Sequence, residues 1–125
     1  MNTILVTGGR NYGDRDNVFS ILDRVHAKSP ITLIVHGACC KRGSPLELTG
    51  ADRWAQEWAQ ERQIPYMGHP AQWTLLGDAA GPRRNQTMLW ATMPHWVIAF
   101  PGGLGTADMV QRARQYSVRV WEVEA

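Results

Sequence analysis

Short apolar runs alternate with stretches of helical spacing along the whole chain. Ile4-Leu5-Val6 is a buried-strand run, stopped by the turn Thr7-Gly8-Gly9-Arg10. In the polar segment 11–16, Asp14 or Asp16 can cap a helix. Val18, Ile21, Leu22 and Val25 then recur at i, i+3, i+4 and i+7, and Pro30 ends that helix near Lys28. Residues 31–35 predict a second strand with His36-Gly37 at its carboxyl end. Residues 38–49 have no periodicity, contain Gly43, Ser44 and Pro45, and read as an exposed loop. Ala51, Trp54, Ala55, Trp58 and Ala59 mark one face of a second helix running to about Arg62. Pro65-Tyr66-Met67 is a weak strand whose proline suits an edge. Residues 71–81, with Trp73, Gly77 and Asp78, read as another loop. Pro82 fits the first turn of a third helix carrying Arg83, Arg84, Asn85, Met88 and Leu89, which Pro94 stops. Trp96-Val97-Ile98-Ala99 is a fourth strand. After a glycine-rich turn, Ala107, Val110 and Ala113 mark a fourth helix, and Val118, Val120 and Val123 a last strand.

Five strands joined by four helices are the pattern of an α/β fold, a doubly wound parallel sheet covered on both faces. Right-handed crossovers leave few topologies, and the expected strand order is 3-2-1-4-5. Ligands of such sheets bind beyond the carboxyl ends of the strands, where the winding reverses. The expected order puts the Gly8-Gly9 and Gly102-Gly103 turns side by side at that point.

Length and composition narrow the class. With 125 residues, 44% of them hydrophobic, one compact domain spanning 1–125 is expected. A net charge of +2 gives no electrostatic case for bulk nucleic-acid binding. The apolar runs are strand-sized, so no membrane span is expected. The first residues, Met1 to Val6, lack a basic region and a cleavage site, so a soluble cytoplasmic protein is the expectation. Cys39 and Cys40 are sequence neighbours, which rarely bridge and do not by themselves make a zinc site; they read as ordinary loop thiols. His26, His36, His69 and His95 share no ligand spacing, so neither a metal nor a cofactor is expected. Of six tryptophans, some belong to the core and one or two can line a pocket.

The candidate chemistry centres on Pro101-Gly102-Gly103-Leu104-Gly105-Thr106, where a strand hands over to a helix. Glycines let backbone approach a ligand closely, and a helix start offers unpaired N–H groups and partial positive charge. Gly102, Gly103 and Gly105 therefore read either as a phosphate cradle or as a tight turn. Thr106 reads as an extra donor or as the helix cap. The facing wall is Thr7, Gly8, Gly9 and Arg10; Arg10 is either a forked clamp for an anion or a solvated side chain. Arg84 and Asn85 form a third side: a basic pair with Arg83 at a helix start opposes the dipole, which favours a functional over a structural role. Asp52 and Asp108 each begin a helix, where an acid complements the dipole or can bond a ribose. Asp108 is the acid nearest the glycine turn, the first candidate for acid–base work. His36 and Gly37 end a strand near the expected site, and Trp73 is available to stack on a base or to pack as a lid. No G-x-S-x-G nucleophile elbow, GxGxxG fingerprint or P-loop is present.

Taken in order, Val6-Thr7-Gly8-Gly9-Arg10, His36-Gly37-Ala38, Gly50-Ala51-Asp52, Trp58-Ala59, Trp73, Ala80-Gly81-Pro82-x-Arg84-Asn85-x-x-Met88 and Ala99 to Asp108 resemble the YspA/YpsA-related branch of the SLOG superfamily, nearly end to end. The resemblance implies a Rossmann-like domain that holds a nucleotide-derived small molecule such as a nucleoside phosphate, ADP-ribose or NAD. It carries two alternatives. One is the N-glycosidic phosphoribohydrolase activity of the LOG enzymes, for which Arg84 matches the catalytic arginine and Asp108 would have to supply the carboxylate. The other is single-stranded DNA binding as in DprA, which the near-neutral charge disfavours. The LOG motif P-G-G-x-G-T-x-x-E is matched from Pro101 to Thr106, but its glutamate position is Met109, and Asp108 points about 100° away around the helix. A homodimer is implied by analogy with LOG-like relatives. The segment from Cys39 to Thr49 is longer than such proteins usually carry and reads as a lid, a partner surface or a neutral insertion.

Overall fold

The computed structural model describes residues 1–41 and 43–124; Arg42 and Ala125 lie outside the described residues. The chain runs β1 (Thr3–Thr7), α1 (Arg15–Lys28), β2 (Leu33–His36), β3 (Cys40–Lys41), β4 (Ser44–Leu48), α2 (Gly50–Arg62), β5 (Tyr66–Gly68), α3 (Trp73–Leu76), a 3-10 turn (Gly77–Ala79), α4 (Ala80–Thr92), β6 (Trp96–Ala99), α5 (Leu104–Gln115) and β7 (Arg119–Glu122).

Five strands form one parallel sheet in the order β5-β2-β1-β6-β7. Counted along this sheet alone, that is the expected 3-2-1-4-5, and the Rossmann-like α/β class holds. Side chains alternate across β1 with period two. Ile4 and Val6 face α1 and α2, in a cluster with Val18, Ile21, Leu22, Ala55 and Trp58; Leu5 faces α4 and α5, with Met88, Leu89, Met109 and Ala113. These side chains are almost wholly withdrawn from water, which at roughly 25 cal/mol per Å² of apolar surface is the main force holding the layers together. Trp58 is fully buried, and its indole N–H is satisfied by Asp23 Oδ1 at 2.9 Å.

Local chemistry sets the boundaries. Of the two cap candidates Asp14 is used: its Oδ1 accepts the Asn17 N–H at 3.0 Å. Ahead of β2, the Ile31 N–H is taken by His26 Nδ1 (2.9 Å) and the Thr32 N–H by the Asn2 carbonyl (2.9 Å). Two segments expected to be loops are structured. Within 38–49, β3 and β4 pair as a short antiparallel hairpin with an irregular register, tied at its base by Thr49 N–H to the Cys39 carbonyl (2.9 Å). Within 71–81, the short helix α3 and the 3-10 turn lead directly into α4, which starts at Ala80 rather than Pro82. Both elements are too short to show a hydrophobic period, and much of their surface is exposed. Among the described residues, no helix is long and apolar enough to cross a membrane.

Candidate functional site

Because β1 and β6 are neighbours on which the winding reverses, the turns that follow them meet. The Gly9 N–H donates to the Pro101 carbonyl at 2.9 Å, stitching one glycine turn to the other. The approach is too close for side chains. A Cβ on Gly8 would lie 2.6 Å from Ala51 Cβ, and one on Gly102 would lie 2.7 Å from the Gly9 nitrogen. Gly50, at the start of α2, closes on the same point. Its φ is +65°, and the neighbouring Ala51 N–H donates to the Gly9 carbonyl at 3.3 Å.

Around this seam opens a cavity of about 390 Å³. Thr7, Gly8, Gly9 and Arg10 line it from β1, Gly37 and Asp52 from β2 and α2, Arg84 and Asn85 from α4, and Gly103, Gly105 and Thr106 from α5. Eleven of the expected site residues thus share one space. Pro101 and Gly102 form the seam beside it. The cap of α5 is the backbone of Gly103, with no side-chain hydrogen bond, so Thr106 is not the helix cap. The N–H groups of Leu104, Gly105 and Thr106 have no protein partner among the described residues.

Arg84 ties the walls together. Its Nη1 donates to the Gly37 carbonyl in a short contact and to the His69 carbonyl at 3.2 Å; its Nε donates to Asn85 Oδ1 at 2.9 Å. Asn85 is buried, and its Nδ2 donates to the Gly105 carbonyl (3.2 Å) and to Asp108 Oδ2 (3.0 Å). α4, α5 and the ends of β2 and β5 are therefore held by one chain of hydrogen bonds. Burial draws the Arg84 guanidinium below its ordinary pKa, opposed chiefly by the Asp52 carboxyl.

Besides Pro101 and Gly102, two expected residues stand outside the cavity wall. Asp108 is half-buried and committed to Arg112, four residues on, at 2.9 Å, and to Asn85. Its carboxylate positions Asn85 rather than facing the cradle. His36 is buried beneath the floor, accepting the Ala38 N–H on Nδ1 (2.9 Å) and paired through Nε2 with Gln56 (2.7 Å). Met109 lies wholly inside the apolar cluster with Leu5, Val35 and Val97. A carboxylate at that position would be buried among hydrocarbon with no partner.

Asp52 is the buried acid of the site, and its Oδ2 accepts the Cys39 N–H at 3.0 Å. Burial pushes its pKa upward, against the pull of His36, the Cys39 N–H and Arg84. A carboxyl held toward its neutral form opposes a bound anion less. The folded state binds the Asp52 proton more tightly than the unfolded chain, so this contribution is complete below the ordinary carboxylate range and is lost as pH rises through the raised value. In urea unfolding across a pH series, Asp52→Asn is expected to gain on the parent protein as pH rises. A difference between the two that stays constant with pH would show that Asp52 ionises normally.

Asn11, Cys39, Gly81 and Met88 also line the cavity, although the sequence marks none of them as a contact and gives Gly81 and Met88 only as part of the motif around Arg84, and Trp73 joins them. Cys39 is two residues beyond Gly37, so extending the strand-end rule by one turn finds it. Ala38 between them has φ +51°, a left-handed conformation that swings the Cys39 N–H onto Asp52. Gly81, at an ordinary helical position, carries no local signal of this kind.

The chain is 34% identical to the gene 61 protein of Mycobacterium phage D29, over 96% of this chain and 94% of that protein. The profile of the YspA, cpYpsA-related SLOG family, YAcAr, matches residues 2–75, which hold β1, both sides of the Gly8-Gly9 turn, Gly37 and Asp52. With most of its length matched and a Rossmann-like sheet whose two glycine turns meet at the winding reversal, the chain belongs to the YspA, cpYpsA-related SLOG family.

Proposed function

We propose that the protein binds a nucleotide or a nucleotide-derived molecule at the carboxyl ends of its strands, with phosphate held by the first turn of α5. The observation that carries this reading is the unpaired first turn of α5, where Gly105 and Thr106 line a cavity that two arginines also line. Such a helix start suits an anion, and the forked guanidinium donors of Arg10 and Arg84 suit phosphate oxygens. Gly8, Gly9 and Gly102 supply the close backbone approach; Asn85 holds Arg84 and the α5 turn in place, and Asp52 is a sugar-side contact. Hydrolysis of an N-glycosidic bond finds less support. Asp108 is engaged by Arg112 and Asn85, and the position of the LOG glutamate belongs to the core.

Gly105 provides a clean test. A Cβ there meets no atom of the described residues within 4 Å, so a side chain starts into open space beside the cradle. Gly105→Leu is expected to keep the parent Tm and to lose at least tenfold in affinity for pyrophosphate and ADP-ribose by calorimetry. Unchanged affinity in the variant would remove phosphate from the α5 turn. Native mass spectrometry of the same preparations reads any co-purified ligand and checks the homodimer proposed by analogy.

A further inference from the structure

The cavity at the glycine seam abuts a second one. The second, of about 440 Å³, is lined on its far side by Ala38, Cys40, Pro70, Ala71 and Leu75. Arg10, Gly37, Cys39, Trp73 and Arg84 line both, and so form the boundary between them. Small-molecule sites commonly measure roughly 300–1,000 Å³, so each space alone is at the low end and the pair suits one elongated ligand.

The chemistry is segregated along this path. The α5 side offers backbone N–H groups. The boundary holds two guanidiniums, neither in an ion pair among the described residues. Arg10 uses only its Nε, on Cys39 Sγ at 3.5 Å, and Arg84 leaves its Nη2 without a protein partner among the described residues. The far compartment presents a prolyl ring, aliphatic side chains and an indole, with Gln72 and Thr74 as polar side chains among them. Trp73 is half exposed, yet its ring edge is seated on Gly81, where a Cβ would come within 3.1 Å of Cη2. An indole braced at one edge, half exposed and lining both cavities is a stacking platform for a flat, apolar-faced group.

We infer that the ligand class is a nucleoside 5′-diphosphate, with its terminal phosphate on the α5 turn, its inner phosphate between Arg10 and Arg84, and its base against Trp73. This deepens the phosphate-cradle reading and rests on it. Two cations at the boundary match the second phosphate, which a monophosphate lacks, and the apolar compartment matches the base, which pyrophosphate lacks.

The test compares pyrophosphate, the four nucleoside monophosphates and ADP, GDP, CDP and UDP by calorimetry, on the full chain and on Trp73→Ala and Trp73→Phe. The best diphosphate is expected to bind at least tenfold tighter than both pyrophosphate and its own monophosphate. Trp73→Ala should erase the advantage over pyrophosphate, and Trp73→Phe should keep most of it. A diphosphate no tighter than pyrophosphate, or an advantage untouched by Trp73→Ala, overturns the inference while the α5 cradle stands. Failure of every phosphate-bearing probe to bind would bring down the cradle reading itself.

Discussion

Gly50→Ala is expected to cost about 4 kcal/mol of folding stability and to lower Tm by about 15 °C, at the upper end of what single substitutions do. Two effects add. Gly50 has φ +65°, which costs an L-residue roughly 1–2 kcal/mol. The greater cost is steric. An alanine Cβ would lie 2.1 Å from the Gly9 carbonyl oxygen and 2.6 Å from that of Arg10. Both obstacles are backbone, so no side-chain rotation relieves them; either α2 or the β1 turn must move. Gly43 is the control, because its φ is +81° but a Cβ there meets nothing within 4 Å. Gly43→Ala should cost only the conformational strain, about 1 kcal/mol or about 4 °C. The two variants are compared by thermal denaturation. Equal losses would mean that the turn after β1 yields easily, and the rigid junction of α2 with the glycine seam would have to be abandoned.

The second large effect is expected at Arg84. Its guanidinium satisfies the carbonyls of Gly37 and His69 and the side chain of Asn85 simultaneously. Arg84→Met removes all three donors and leaves two backbone acceptors and one amide oxygen to find others. At roughly 1.5–3 kcal/mol for each charged hydrogen bond, discounted for shared partners and entry of water, about 3 kcal/mol of stability should be lost. Arg84→Lys keeps the charge but not the fork, and one ammonium cannot reproduce the planar three-way geometry; a loss of about 2 kcal/mol is expected. Both variants should also lose at least tenfold in affinity for phosphate-bearing probes. Chemical denaturation gives the stability and calorimetry the binding. An Arg84→Met protein within about 0.5 kcal/mol of the parent would show that these bonds do not brace the site. Lost stability with intact affinity would instead confine Arg84 to a structural role.

Asp108 shows how sequence proximity and side-chain contact can part. It follows the glycine turn closely in sequence, so proximity made it the candidate acid. In the folded chain its carboxylate meets Arg112, one turn along the same helix, and Asn85 from α4. Sequence distance reports nothing about which neighbour a flexible acid will choose, and a partner 23 residues away has no local signature. His36 was similar: the strand-end rule located its backbone correctly, but alternation in the strand turned its side chain into the interior toward Gln56.

The order of strands, the central place of β1, the two faces of its side chains and the meeting of two glycine turns were already determined by the sequence. Each follows from a repeating constraint, since apolar period separates strand from helix and parallel crossovers have one hand. The start of α5 as a glycine-bearing helix N-terminus was determined as well, because glycine and a helix start act locally. Tertiary structure alone decided which donors remain free and which are spent. It committed Asp108 to Arg112, buried Met109, raised the Asp52 pKa by desolvation, and set Cys39 and Trp73 at the boundary of two cavities. These outcomes depend on which side chains from distant segments compete for the same few polar partners and the same buried volume. That competition is settled only once α2, α4 and α5 close on the sheet.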